Sequence, residues 1–110
     1  MGASQRNKGH SFERTVVNKL KEEGIQAERV LEYQQHQAKG VDVSTEKFAI
    51  QCKAKKTQPN VPNVFNEIQD TKRIPVVIYK IDRKGTFATF KIDDALTLMK
   101  LFDKKKGKGV

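Results

Sequence analysis

Tryptophan is absent from this 110-residue chain, and cysteine occurs once. The lone Cys52 excludes an internal disulfide and every cysteine-based zinc site. It alternates with Phe48 and Ile50 on the apolar side of a strand pattern, which reads as a buried structural thiol. Histidine is scarce too. His10 and His36 lie far apart, show no metal-ligand spacing, and support neither a Ser-His-Asp nor a Cys-His arrangement. No apolar run reaches the roughly 20 residues of a membrane-spanning helix. A glycine-rich phosphate loop and a dinucleotide fingerprint are missing as well. The first residues lack the apolar core of a signal peptide, so the expectation is a cytoplasmic, intracellular protein. There is no repeat and no sign of a second domain. The expected organisation is one domain over 1–103 and a basic, loose tail over 104–110, where Lys104, Lys105, Lys106 and Lys108 lie among glycines.

Acids are also in short supply. Asp and Glu total 13 against 22 Lys and Arg, a net charge of +9. So large an excess on one small domain favours a polyanionic partner, and phosphate contacts supply most of the affinity for DNA. Charge alone does not separate DNA from RNA or from an anionic membrane.

The most informative stretch is Val41 to Lys53. Val41-Asp42-Val43 alternates apolar, acidic, apolar. Phe48 to Lys53 alternates as well, with Phe48, Ile50 and Cys52 on one side and Ala49, Gln51 and Lys53 on the other. If Glu46-Lys47 forms the turn, Val43 pairs with Ile50, Val41 with Cys52, and Asp42 with Gln51. Apolar then meets apolar in the register that also joins the polar groups, and a one-residue slip would bury the charges. Glu46-Lys47 lacks the Asn-Gly or Asp-Gly that a two-residue hairpin prefers. Asp42 offers a carboxylate and Gln51 an amide oxygen to a hard cation such as Mg²⁺. Lys53 offers a charge for an attacked phosphate, or a group to orient water. The plain alternative is a solvated strand face that happens to carry an acid and a lysine.

The first helix is expected over His10 to Glu23, stopped by Gly24. Phe12, Val16, Val17 and Leu20 share one arc, and Glu13 lies inside it. An acid within an apolar stripe needs a partner or a metal, unless the helix N-terminus keeps it hydrated.

Together these motifs resemble the PD-(D/E)XK nuclease superfamily, most closely the archaeal and phage Holliday junction resolvases. The resemblance rests on Lys8-Gly9-His10-Ser11-Phe12-Glu13-Arg14 opening the helix, Arg29 on the next strand, a polar loop from Tyr33 to Gly40, then Val41-Asp42-Val43 and Gln51-Cys52-Lys53. It covers roughly residues 8–57 by motif and the remainder by order of elements. It implies a restriction-endonuclease-like α/β fold, a mixed central sheet flanked by helices in the order α-β-β-β-α-β-β-α. It also implies a Mg²⁺-dependent endonuclease, with Mn²⁺ as a substitute, acting as a homodimer on branched DNA. Glu13, Asp42 and Gln51 would hold the metal, and Lys53 would complete the catalytic set. Lys8, Arg14, Arg29, Gln35, His36, Lys39, Lys55 and Lys56 would contact DNA. The departure is Gln51, where resolvases usually carry Glu. An amide removes one negative charge, which Glu13 could offset, or which Glu67 could replace from the helix after Pro62. Three other readings share these residues: a nuclease for flaps, nicks or foreign duplex, a DNA-binding module that no longer cuts, and a basic RNA-associated protein.

The rest of the chain reads as scaffold. A strand is expected over Ile25 to Leu31, a helix capped by Asn63 and running to Arg73, and strands over Val76 to Ile81 and Thr86 to Ile92. A last helix is expected to be capped by Asp93, with Leu96, Met99, Leu101 and Phe102 as its apolar positions.

Overall fold

The computed structural model describes the backbone of residues 2–31 and 40–109, and the side chains of 9–31 and 40–104. The chain forms an α/β fold, a five-stranded mixed sheet with three helices in the expected order α-β-β-β-α-β-β-α.

Helix α1 spans Gly2–Glu22, longer at its start than the apolar pattern alone requires. Phe12, Val16 and Val17 are buried and Leu20 packs against them. The helix ends as the glycine foretells. Gly24 takes φ +81°, its N–H bonds the Lys21 carbonyl, and the Ile25 N–H reaches back to the Leu20 carbonyl. This paired capping satisfies carbonyls that would otherwise be stranded, and it needs a residue at ease with positive φ.

Strand β1 is only Glu28–Arg29, at the sheet edge, rather than the full run to Leu31. It pairs antiparallel with β2, Val43–Ser44, which pairs antiparallel with β3, Phe48–Lys55. Val43 faces Ile50, as the alternation requires. The unfavoured Glu46-Lys47 turn is closed from outside itself. The Thr45 N–H donates to the Phe48 carbonyl, and the Phe48 N–H donates to Thr45 Oγ1 at 3.0 Å. The regular ladder stops at Val43. The Asp42 N–H bonds the Ile50 carbonyl, and Asp42 leaves the strand just where its side chain is needed.

Strand β3 runs parallel to β4, Ile74–Ile81, so the chain must cross over between them, and helix α2, Val61–Glu67, makes that crossing. Its cap is Asn60, not Asn63: Asn60 Oδ1 accepts from the Asn63 N–H at 3.2 Å, and Pro62 occupies the first turn. It also ends at Glu67, well short of Arg73, because Ile68 is already extended. Strand β5, Gly85–Phe90, pairs antiparallel with β4 at the far edge. Helix α3 spans Ile92–Gly109, with the Lys91 carbonyl accepting from the Ala95 N–H. Asp93 thus lies inside its first turn rather than capping it. The α3 backbone continues through most of the stretch expected as a loose tail.

The sheet has two unlike faces. Against α1 lie Val43, Ile50, Cys52 and Val76. On the other face Val64 and Phe65 of α2 pack on Val77, with Tyr79 and Ile68 at the margin. Gln51 and Lys53 alternate with Ile50 and Cys52, so they stand on the α2 side. No helix among the described residues is long and apolar enough to cross a membrane.

Candidate active site

Asp42 stands at the broken end of the β2–β3 ladder. The Cys52 N–H on the facing strand donates to Asp42 Oδ2 at 2.9 Å instead of to a backbone carbonyl. Burial pushes the Asp42 carboxyl up to about 6. The Cys52 N–H works against this, as does the charge of Lys53, while Glu13 and Glu67 push the same way as burial. Three carboxylates therefore share one neighbourhood, and Asp42 feels the other two.

Gln51 is buried at 6 % exposure. Its Nε2 donates to Glu67 Oε1 at 2.7 Å, and Lys53 Nζ lies 3.5 Å from the same oxygen. Glu67, the acid the helix after Pro62 could supply, thus takes a place beside the amide. The side-chain oxygen of Gln51 is left buried with no hydrogen-bond partner. A buried acceptor without a donor costs about 1–3 kcal/mol, which a cation or a donated hydrogen bond would recover.

Glycine at position 40 is what allows α2 to reach this site. Gly40 takes φ +77°, and a Cβ there would collide with the Glu67 carbonyl and crowd Ile68. The chain leading into Asp42 therefore passes directly over the last turn of α2. Nothing in the periodicity of the sequence signals this contact. Its only trace there is a glycine immediately before the Val-Asp-Val motif.

Glu13 does need a partner, and Arg29 is that partner: Arg29 Nε donates to Glu13 Oε1 at 3.0 Å, with both side chains largely buried. Arg29 also lines an open groove of about 510 Å³ with Arg14, Asn18 and Lys21. Of the remaining expected DNA contacts, Lys55 and Lys56 are exposed at the end of β3 and just beyond it. The Lys8 side chain and Gln35, His36 and Lys39 lie outside the described residues. Cys52 is buried, and burial pushes its thiol well up, as expected of a structural cysteine rather than a nucleophile.

The donors suit a hard divalent cation in kind. Asp42 and Glu67 offer carboxylates and Gln51 an unpartnered amide oxygen, and Mg²⁺ is commonly held through one or two carboxylates with the rest of its shell water. As the side chains lie, no three His, Cys, Asp or Glu among the described residues are grouped to hold a metal. Glu13 is engaged by Arg29, and the third oxygen of the cluster comes from an amide. Scans against protein-family models, curated proteins and solved structures each gave no match.

Proposed function

We propose that this chain is a Mg²⁺-dependent, structure-selective DNA endonuclease, a Holliday junction resolvase of the PD-(D/E)XK kind, acting as a homodimer inside the cell. The observation that carries the proposal is the meeting of Asp42, Gln51, Lys53 and Glu67 where the hairpin ladder breaks. Asp42, Gln51 and Glu67 would hold the cation, with Glu13 adding negative potential from beside Arg29. When bound, the cation supplies Lewis acidity and a more acidic water. Lys53 brings a positive charge to the phosphate oxygens as water adds and the P–O bond to the leaving strand breaks. Mn²⁺ would substitute for Mg²⁺. Arg14, Arg29, Lys55 and Lys56 would hold the phosphate backbone. Such contacts position DNA without reading its sequence, which suits a branched substrate. A four-way junction presents two strands for symmetric cutting, which a two-fold dimer matches.

Gln51 favours a second reading, a DNA-binding module of the same fold that no longer cuts, because the amide removes one charge from the cation site. The two separate in one assay. Asp42→Ala and Lys53→Ala should lose metal-dependent cleavage while junction affinity changes less than about threefold. Full activity in either variant would remove the assigned site, and tight binding by the unaltered protein without any cutting would favour the module.

A further inference from the structure

Two aromatic rings stand on an open part of the sheet beside the candidate active site. Strand pairing sets Lys53 next to Tyr79 and Tyr79 next to Phe87. The three side chains therefore form one row across β3, β4 and β5, on the α2 side. α2 covers this face at Val77, where Val64 and Phe65 pack, and reaches Tyr79 at its margin. Phe87 is 44 % exposed. Its ring lies 5.5 Å from that of Tyr79, tilted by 32°. Gln58, in the loop after β3, donates from Nε2 to the Tyr79 hydroxyl at 3.3 Å and steadies that ring. With Ile81 these residues line an open pocket of about 390 Å³, large enough for a planar ring system. Lys56 and Lys84 add their charges to its walls, and no acid among the described residues lines it.

We infer that the Tyr79–Phe87 pocket takes an unpaired base of the DNA strand whose phosphate lies at Lys53. The rings supply a stacking surface, and Lys56 and Lys84 supply charge for the neighbouring phosphates. A base inside a duplex has both faces covered by its neighbours, so only an unstacked one can lie against a side-chain ring. The position agrees with this. Phe87 stands two strand spacings from Lys53, ~10 Å, which is a few nucleotides along a strand. Aromatic grooves also take proline-rich peptides, but two lysines without an acid favour a polyanion. The substrate is thereby narrowed to DNA with an opened or single-stranded segment beside the scissile phosphate. The placement rests on reading the Asp42 cluster as a phosphodiester site, but the binding itself requires neither metal nor cutting.

The test measures affinity by fluorescence anisotropy, with the full chain in a chelator. The probes are a labelled oligothymidylate of about 15 nucleotides, a duplex of equal length and an abasic strand of equal length. Phe87→Ala should weaken oligothymidylate binding at least about fivefold. Phe87→Leu, which keeps an apolar side chain on Tyr79 but no flat face, should do the same, and Phe87→Tyr should bind within about twofold of the unaltered chain. Duplex affinity should change less than about twofold in all three variants, because it rests on phosphate contacts. The abasic strand keeps those phosphates and lacks bases, so the unaltered chain and Phe87→Ala should bind it alike. Oligothymidylate affinity that ignores Phe87→Ala would overturn the inference. So would an equal loss on the duplex or on the abasic strand, or full retention in Phe87→Leu. If the unaltered chain binds none of the three probes, the inference falls together with the DNA reading. A chain that never cuts yet shows the Phe87 effect supports the pocket and refutes the nuclease reading alone.

Discussion

Asp42 should make the protein less stable as it ionises, and replacing it should show this. Its carboxyl holds a proton up to about pH 6 in the fold, against 3.8 when unperturbed. Between those values the folded state binds more protons than the unfolded one, so stability falls as pH rises across the window and levels off above it. A gap of that size corresponds to at most about 3 kcal/mol. Partial solvent access at Asp42 reduces this to roughly 1–2 kcal/mol. Asp42→Asn keeps the shape and an oxygen for the Cys52 N–H but never ionises. At pH 8 in a chelator it should therefore be more stable than the unaltered protein by roughly 1–2 kcal/mol, or about 5–10 °C in melting temperature. At pH 3.5, where Asp42 is protonated in the fold and mostly protonated when unfolded, the two should agree within about 0.5 kcal/mol. Urea unfolding of both proteins at the two pH values measures the double difference, and titrations common to both proteins cancel. A gain of equal size at both pH values, or a loss at pH 8, would refute the reasoning. Adding Mg²⁺ at pH 8 should narrow the gap, because a cation beside Asp42 favours its charged form.

Gly40→Ala should destabilise the fold by about 2–4 kcal/mol, since it adds both an unfavourable φ and a collision with the Glu67 carbonyl; thermal melting checks it, and an unchanged midpoint would contradict the close packing. Gln51→Glu would bring a second carboxylate to the oxygen that Gln51 Nε2 now holds at 2.7 Å. It should lower apo stability at pH 8 by about 1–2 kcal/mol and recover it in millimolar Mg²⁺, as calorimetry with and without the ion would show. Glu67→Ala takes the acceptor from the buried Gln51 Nε2, so it should lower stability by about 1–3 kcal/mol and reduce cleavage at least tenfold; unaltered cleavage would take Glu67 out of the site. Cleavage itself should rise with pH on the acid side and then flatten, because the Asp42 carboxylate is the competent form, with a midpoint that falls below about 6 as Mg²⁺ is raised; a midpoint that does not move with Mg²⁺ would uncouple Asp42 from the reaction.

The hairpin was legible because alternation allows one register, and Val43 opposite Ile50 is that register; the expected Asp42–Gln51 and Val41–Cys52 pairs are not in the ladder, because Asp42 turns its own N–H to Ile50 and its carboxylate to the Cys52 N–H. Glu13 was legible as an acid in need of a partner, since an apolar stripe tolerates no isolated charge. The meeting of Glu67 with Gln51 was open only as a possibility, because it depends on a crossover that brings the end of α2 over β3 and on the packing at Gly40. The start of α2 was misplaced because Asn60 and Asn63 are equally capable caps three residues apart, and only the backbone chooses between them. The short β1 has a similar cause, since an edge strand extends only as far as its two-residue neighbour can pair. For α3, periodicity identified Leu96, Met99 and Phe102 as apolar positions, but periodicity describes a stripe and not what covers it.

The proposed function places DNA hydrolysis at the Asp42 cluster. Its most direct test is incubation of labelled four-way junction and matched linear duplex with and without Mg²⁺, beside Asp42→Ala. Paired, symmetric nicks on the junction alone, dependent on both the metal and Asp42, are the expected result. Tight junction binding with no cut under any divalent metal would contradict it.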